Sequence, residues 1–150
     1  MGDHHLETRI RINAPIELVW DILTNFENYS SWNSFIREFN ENPRNHQKFS
    51  FLVKFGKVRR NQVELLDHID DDNYEIVWGT DPTTLQGRVI KAQRYQGLNK
   101  LGINTTEYHS YEDFHGVLGW LVRLMYLKDL QESYHKMARD LKRYAEELVF

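Results

Sequence analysis

Three residues in one short stretch could pass a proton between them. Glu107, His109 and Tyr111 stand two positions apart, so on a β-strand all three point to one face. If that face is the covered one, a carboxylate, an imidazole and a phenol lie within reach of each other. A Glu with a raised pKa or a neutral His could then act as general base on an enolisable compound. The opposite parity puts Thr106, Tyr108 and Ser110 inside and leaves His109 in solvent, the more heavily weighted reading. A bulge would exchange the two.

The remaining histidines have plainer readings. His4 and His5 sit at a polar terminus, and His46 and His68 fall in or beside polar turns. His68 with Asp67, Asp70, Asp71 and Asp72 has the look of an ion cluster, but a hairpin rich in Asp and Asn is more simply a turn. The spacing lacks the Asp-x-Asp-x-Asp-Gly calcium pattern. His135 lies beside Tyr134 on a long helix and reads as a surface residue. No metal site and no cofactor are expected. Gly-x-Ser-x-Gly, a phosphate-cradling glycine loop and His-Glu-x-x-His are all absent. The chain has no cysteine, which removes disulfides, thiolate catalysis and Cys-ligated metals and fits a reducing, cytoplasmic setting.

The elements that must position these groups can be read from periodicity. Ile10 and Ile12 alternate with Arg9 and Arg11 as in a half-buried strand. Asn13-Ala-Pro15 opens a helix, with proline at its first position and Glu17 near the third. Ile16, Val19, Trp20 and Leu23 give that helix one apolar face, and it should stop near Asn25. Residues 26–32 add a turn or two, so residues 13–33 form a helix–kink–helix between two strands. Phe49, Phe51, Val53 and Phe55 mark the next strand, and Gly56 a hairpin to residues 57–66. Asp70 to Asn73 is a turn before a strand at 74–78, and Asp81-Pro82 turns before another at about 85–95. Residues 97–102 are expected as the last hairpin loop and 103–111 as the last strand. Modest strands with regular turns read as an antiparallel meander. From Val117 to Leu148 apolar residues recur at helical spacing for about eight turns, giving one helix on the order of 40 Å long.

The chain of 150 residues has 41% hydrophobic and 27% charged residues, ordinary for one globular domain. Residues 1–6 are expected as a flexible N-terminus and 7–150 as that domain. A net charge of −3 gives no electrostatic footprint for nucleic acid and no polybasic membrane patch. No apolar run approaches the roughly 18–20 residues of a membrane span, and the polar N-terminus lacks a signal-peptide core. Aromatics reach 13%, enough to line a concave site as well as fill a core.

The stretch Ile10-Arg-Ile-Asn-Ala-Pro-Ile-Glu-Leu-Val-Trp-Asp-Ile-Leu-Thr-Asn-Phe-Glu-Asn-Tyr-Ser-Ser-Trp-Asn-Ser-Phe-Ile36 resembles the opening of the SRPBCC, or START-like, superfamily. A second likeness is Thr106-Glu-Tyr-His-Ser-Tyr-Glu-Asp-Phe-His-Gly116, similar to the last strand with its Glu-x-Phe-x-Gly exit. A third is Tyr134-His-Lys-Met-Ala-Arg-Asp-Leu141, where many relatives have Met-Asn in place of Met137-Ala138. The subgroup resembled is the bacterial polyketide cyclase/dehydrase type, and the likeness runs over nearly the whole chain.

The resemblance implies an α+β helix-grip fold. A curved antiparallel sheet of about six or seven strands, with two short helices after the first, would wrap a long C-terminal helix over an apolar cavity. Relatives bind lipids, sterols, polyketides, quinones or aromatic rings, and only some are enzymes. The expected function is therefore binding or transport of a small hydrophobic or amphipathic molecule, by a monomer or weak homodimer, in a pocket of about 300 Å³ or more. The alternatives are a cyclase/dehydratase-type enzyme, a lyase or isomerase with Glu107, His109 or Glu112 facing the cavity, and a protein-interaction module. Glu112 matches the exit motif, which favours an inward side chain.

The expected mouth of the pocket comprises Trp20, Phe26, Tyr29, Trp32 and Phe35, although core packing competes for each, Trp20 above all. Phe51, Phe55, Trp78, Tyr95, Tyr111, Trp120, Leu124, Tyr134 and Met137 are candidate walls. Arg60, Arg88 and Arg94 lie on strands, where the outer face is the default. An inward arginine would need a partner, which an acidic group on the ligand could supply.

Overall fold

Alternation at the start of the chain sets the first strand, β1 (Leu6–Ile12), in which Leu6, Thr8 and Ile12 are buried and Glu7, Arg9 and Arg11 exposed. The structure is a computed structural model that describes residues 6–84, 91–116 and 119–149; the side chains of residues 119–124 and 126 lie outside that description. After β1 come helix α1 (Ile16–Thr24), a 3-10 turn (Phe26–Ser31), and strands β2 (Ile36–Phe39), β3 (Lys48–Phe55), β4 (Val58–Asp70) and β5 (Glu75–Gly79). Strands β6 (Lys91–Gly102) and β7 (Thr105–His115) lead to the long helix α2 (Gly119–Leu148).

The seven strands form one antiparallel sheet in the order β1-β7-β6-β5-β4-β3-β2. Register shifts between Ile36 and Glu38, between Leu66 and His68, and between Lys100 and Gly102 mark the irregular points of the ladder. Bulges of this kind sharpen bending and twist, and the sheet curls into a half-barrel around α2. The helix packs along β1 and β7 and reaches across to β3. Tyr134, Met137, Ala138, Leu141 and Ala145 form its buried stripe. Among the described residues no helix is long and apolar enough to cross a membrane.

Pro15 stands just before α1 rather than inside it. Its ψ of 146° is extended, and its carbonyl accepts the Val19 N–H at 3.1 Å. The helix ends at Thr24 as expected, with Asn25 as its cap. The last hairpin differs from the expectation: β6 continues through Gly97 to Gly102, and the turn is made at residues 102–105. Gly97 is a packing glycine, not a turn. A Cβ there would sit 2.1 Å from the Tyr95 hydroxyl, so the bare backbone makes room for that ring. The expected strand beginning at 85 falls partly outside the described residues, and its described part starts at Lys91.

Asn33 fixes the passage from the 3-10 turn into β2. It is fully buried, and its side-chain oxygen accepts the N–H groups of both Phe35 and Ile36 at 2.8 Å. Next to it, Asp140 of α2 accepts from the Ser34 backbone N–H at 2.9 Å and from the Ser34 hydroxyl at 2.5 Å. These contacts tether the turn to the helix and aim Phe35 inward. Replacing Asn33 by Ala leaves two buried N–H donors without acceptors, a loss of roughly 1–3 kcal/mol. Urea unfolding of Asn33→Ala should show a lowered midpoint with an unchanged slope. An unchanged midpoint would show that the turn holds without this side chain.

Candidate functional site

The concave face is built from rows of alternate residues. On β3 these are Phe49, Phe51, Val53 and Phe55, all buried. On β4 the facing row is Val58, Arg60, Gln62 and Glu64, each opposite one β3 residue in the ladder. Trp78 of β5 faces Arg94 of β6, which in turn faces Glu112 of β7. With Phe35, Phe114, and Leu130 and Tyr134 of α2, these rows, Phe49 excepted, line a cavity of about 230 Å³. That is above the ~150 Å³ known to admit benzene but short of the ~300 Å³ usual for larger ligands. It suits a ring or a short chain.

Aromatic and aliphatic side chains share the walls with the polar ones Arg60, Gln62, Glu64, Thr80, Arg94 and Glu112. Arg94 is 3% exposed. Its guanidinium stands 4.2 Å from the Tyr134 ring centroid and 5.7 Å from that of Phe35. It donates to Ser110 Oγ at 3.3 Å from both Nε and Nη2, with longer contacts to the Tyr108 hydroxyl and Met137 Sδ. Among the described residues no carboxylate lies within ion-pair distance of it, although Glu112 is its cross-strand neighbour. The Glu112 carboxylate instead accepts from the Tyr134 hydroxyl. Below Arg94, the Tyr108 hydroxyl donates to Gln96 Oε1 at 2.7 Å, and Gln96 Nε2 is buried with no protein acceptor.

Two carboxyl groups face this cation from different strands. Burial, then the nearby Glu112 charge, pushes Glu64 up to about 8, while Gln62 and the arginines pull it back. Glu112 rises to about 7, again by burial, with Arg94 opposing. Glu64 also ends a chain of contacts along β4: Arg60 donates to Gln62 Oε1 at 2.8 Å, and Gln62 donates to Glu64 Oε2 at 2.9 Å. Near neutrality the site therefore holds two fixed positive charges, the buried Arg94 and the exposed Arg60, beside two carboxyls able to give or take a proton. A group with its pKa near the working pH is suited to general acid–base work.

Of the residues expected from sequence, Phe35, Phe51, Phe55, Trp78, Tyr134 and Glu112 are together on the cavity wall. Met137 is fully buried beside Arg94. Trp20, Phe26, Tyr29 and Trp32 do not reach the cavity, because the small helices lay them into the core. Trp20 donates to Asp71, which pairs with Arg44. Phe26 and Tyr29 each meet Phe39 at 5.0 Å, and Trp32 stacks on Tyr144. Tyr95 and Tyr111 are also away from it, stacked at 4.7 Å on the outer face with His109 between them and Glu7. Glu107 is on that face too, paired with Arg9. Register dictates this: Glu107, His109 and Tyr111 lie opposite Arg11, Arg9 and Glu7 of β1, whose outward parity they share. The side chains of Trp120 and Leu124, and Arg88, lie outside the described residues.

Arg94 and Arg60 both reverse the outer-face default, Arg94 buried in the cavity and Arg60 lining it while still exposed. Gln62 and Glu64 had no sequence signal, since the polar side chains stand inward here while the apolar Val63 is exposed on the other face of β4, the reverse of the usual pattern. His68 pairs with Glu75 at 2.6 Å, and His135 bonds Thr8 and Gln131, so both are structural. Asp70 caps the turn at Asp72 and Asn73.

A family model described as polyketide cyclase/dehydrase and lipid transport matches residues 3–146. No curated protein matches the sequence. Among solved structures, the ZhuI aromatase/cyclase of Streptomyces sp. R1128 is similar with a TM-score of 0.78 at 15% identity, over 97% of this chain and 94% of that one. A START superfamily protein from Mycobacterium smegmatis gives 0.70 at 18%, over 95% and 97%. A norcoclaurine synthase variant from Thalictrum flavum gives 0.73 at 8%, over 97% and 95%. At these identities the likeness shows the fold alone.

The raised carboxyls make stability fall as pH rises. Between the ordinary carboxylate value and about 8, the folded state holds a proton on Glu64 that the unfolded state has released. Each such group can cost up to about 1.4 kcal/mol per pH unit. Urea unfolding at about pH 6 and about pH 9 should find that Glu64→Gln loses less stability with pH than the unsubstituted chain. Equal losses would show that Glu64 ionises normally.

Proposed function

The chain belongs to the polyketide cyclase/dehydrase and lipid transport family, and on that premise we propose that its cavity binds a small hydrophobic or amphipathic molecule carrying an oxygen function. Burial of the apolar body supplies most of the affinity, at about 25 cal/mol per Å². The supporting observation is Arg94: a guanidinium enclosed by rings and hydroxyls, beside two carboxyls that are neutral or nearly so. A carbonyl, enol or phenolate oxygen would complete its hydrogen bonding, and a protonated Glu64 or Glu112 would donate to the same oxygen.

A second reading has its own support, the position of Glu112 on the cavity wall with a pKa raised to about 7. As a base, its carboxylate would take a proton from carbon next to a carbonyl. The electron pair would move onto the carbonyl oxygen, where Arg94 stabilises the oxyanion. Expulsion of a β-hydroxyl with the returned proton would complete a dehydration. His109 and Glu107, on the outer face, have no part in it.

Native mass spectrometry of protein purified from its own host, followed by denaturing extraction, tests binding. The expected result is a stoichiometric oxygenated small molecule, with occupancy about tenfold or more lower in Arg94→Gln. A chain that emerges empty, and that ignores fatty acids, quinones and aromatic polyketides, would contradict the proposal.

A further inference from the structure

Phe35 and Phe55 each belong to two spaces. Their rings, 6.3 Å apart between centroids, line the internal cavity on one side and a surface groove of about 720 Å³ on the other. The groove lies where α2, packed mainly along β1 and β7, crosses the far side of the sheet at β3 and the β3–β4 hairpin. Its floor and walls come from the start of β2, the β3–β4 hairpin and the middle of α2.

The groove is cationic on a chain whose net charge is −3. Arg37, Lys54, Arg59, Lys136 and Arg139 line it, against Asp129 and Glu132. Asp129 is drawn to the hairpin end, where a Cβ on Gly56 would lie 2.7 Å from its carboxylate oxygen. Arg37 spends its guanidinium on the carbonyls of Asn33 and Ser30, and among the described residues it has no carboxylate within 4.0 Å. Among the described residues the other four cations have no carboxylate partner within 4.0 Å. Clustering like charges with so little compensation is costly unless an anion visits.

We propose that the Phe35–Phe55 pair is a passage, and that the natural ligand is longer than the cavity. Its apolar, oxygenated end occupies the cavity, and a terminal phosphate or carboxylate lies in the groove. The inference rests on the cavity being the ligand site, and it explains why that cavity is small: only one end of the molecule has to fit. Aromatic rings swing on χ1 and χ2 with little backbone movement, so two facing phenylalanines can part around a thin chain. Specificity would then have two sources, hydrogen bonds to Arg94 inside and charge outside.

Calorimetric titration separates the parts. The probes are 4-(4-hydroxyphenyl)butyl phosphate, 4-(4-hydroxyphenyl)butanol and inorganic phosphate, against the unsubstituted chain, Lys136→Glu/Arg139→Glu on the helix and Lys54→Glu/Arg59→Glu on the hairpin. The expected result is that the phosphate ester binds about tenfold or more tightly than the alcohol, that inorganic phosphate binds far more weakly than the ester, and that either double reversal or high salt removes the difference without changing the alcohol. Ester and alcohol binding alike would overturn the groove assignment and leave the cavity reading standing. Inorganic phosphate binding as tightly as the ester would make the groove an anion site unconnected to the cavity, which also overturns the proposal. If neither organic probe binds, the cavity reading falls with it.

Discussion

A guanidinium taken out of water onto the concave face of a sheet costs several kcal/mol unless its surroundings replace the lost hydration. Arg94 recovers that cost through hydroxyls and ring faces, with no carboxylate among the described residues in direct contact. Tyr134 is central to this, since its ring covers the cation while its hydroxyl engages Glu112. The helix therefore does more than close the half-barrel. It brings Tyr134 against both Arg94 and Glu112, and a buried cation with no ion-pair partner among the described residues is what a ligand oxygen can use.

The rest of the site follows from that arrangement. Burial raises Glu64 and Glu112, and Arg94 limits the rise, so both carboxyls fall where a change of protonation is cheap near neutral pH. The aromatic excess is divided between two tasks. Phe26, Tyr29, Phe39 and Phe49 knit the small helices to the sheet through edge and tilted ring contacts, Phe51 and Trp78 carry that cluster onto the cavity wall, and Phe35, Phe55, Phe114 and Tyr134 line the rest of it. A rigid aromatic base under a polar cluster is a way to hold donor geometry constant, which serves a binding protein and an acid–base catalyst alike. The fold is common to both kinds of protein, so the difference between them lies in what Glu112 does once the cavity is filled.

The order of elements was legible because each apolar face repeats cleanly: Ile10 and Ile12 in β1, Phe49 to Phe55 in β3, and Tyr134, Met137 and Leu141 in α2. The β6–β7 hairpin was misjudged because a glycine that accommodates the Tyr95 side chain looks, in sequence, like a glycine that turns the chain. Parity in β7 was open for a related reason. Both of its faces carry polar and aromatic residues, and only pairing with β1, where the arginines are unmistakably outside, decides that His109 is outside as well. The β4 row of Arg60, Gln62 and Glu64 was invisible because polar side chains turn inward there while Val63 faces out, the reverse of the usual pattern. Trp20 and Trp32 show that residue type does not separate a core ring from a pocket ring. What separates them is the direction in which the short helices turn, and that is set by buried hydrogen bonds at Asn33, Tyr29 and Asp140.

The most direct test of this account is a carboxyl-carbon NMR titration, which reads Glu64 and Glu112 individually in the folded chain. The prediction is that both titrate well above the ordinary carboxylate range, Glu64 above Glu112, and that Arg94→Gln moves both upward because the cation that favours their charged forms is gone. Carboxyls that titrate near their ordinary values, or that ignore the loss of Arg94, would contradict the claim that this buried cation organises the cavity.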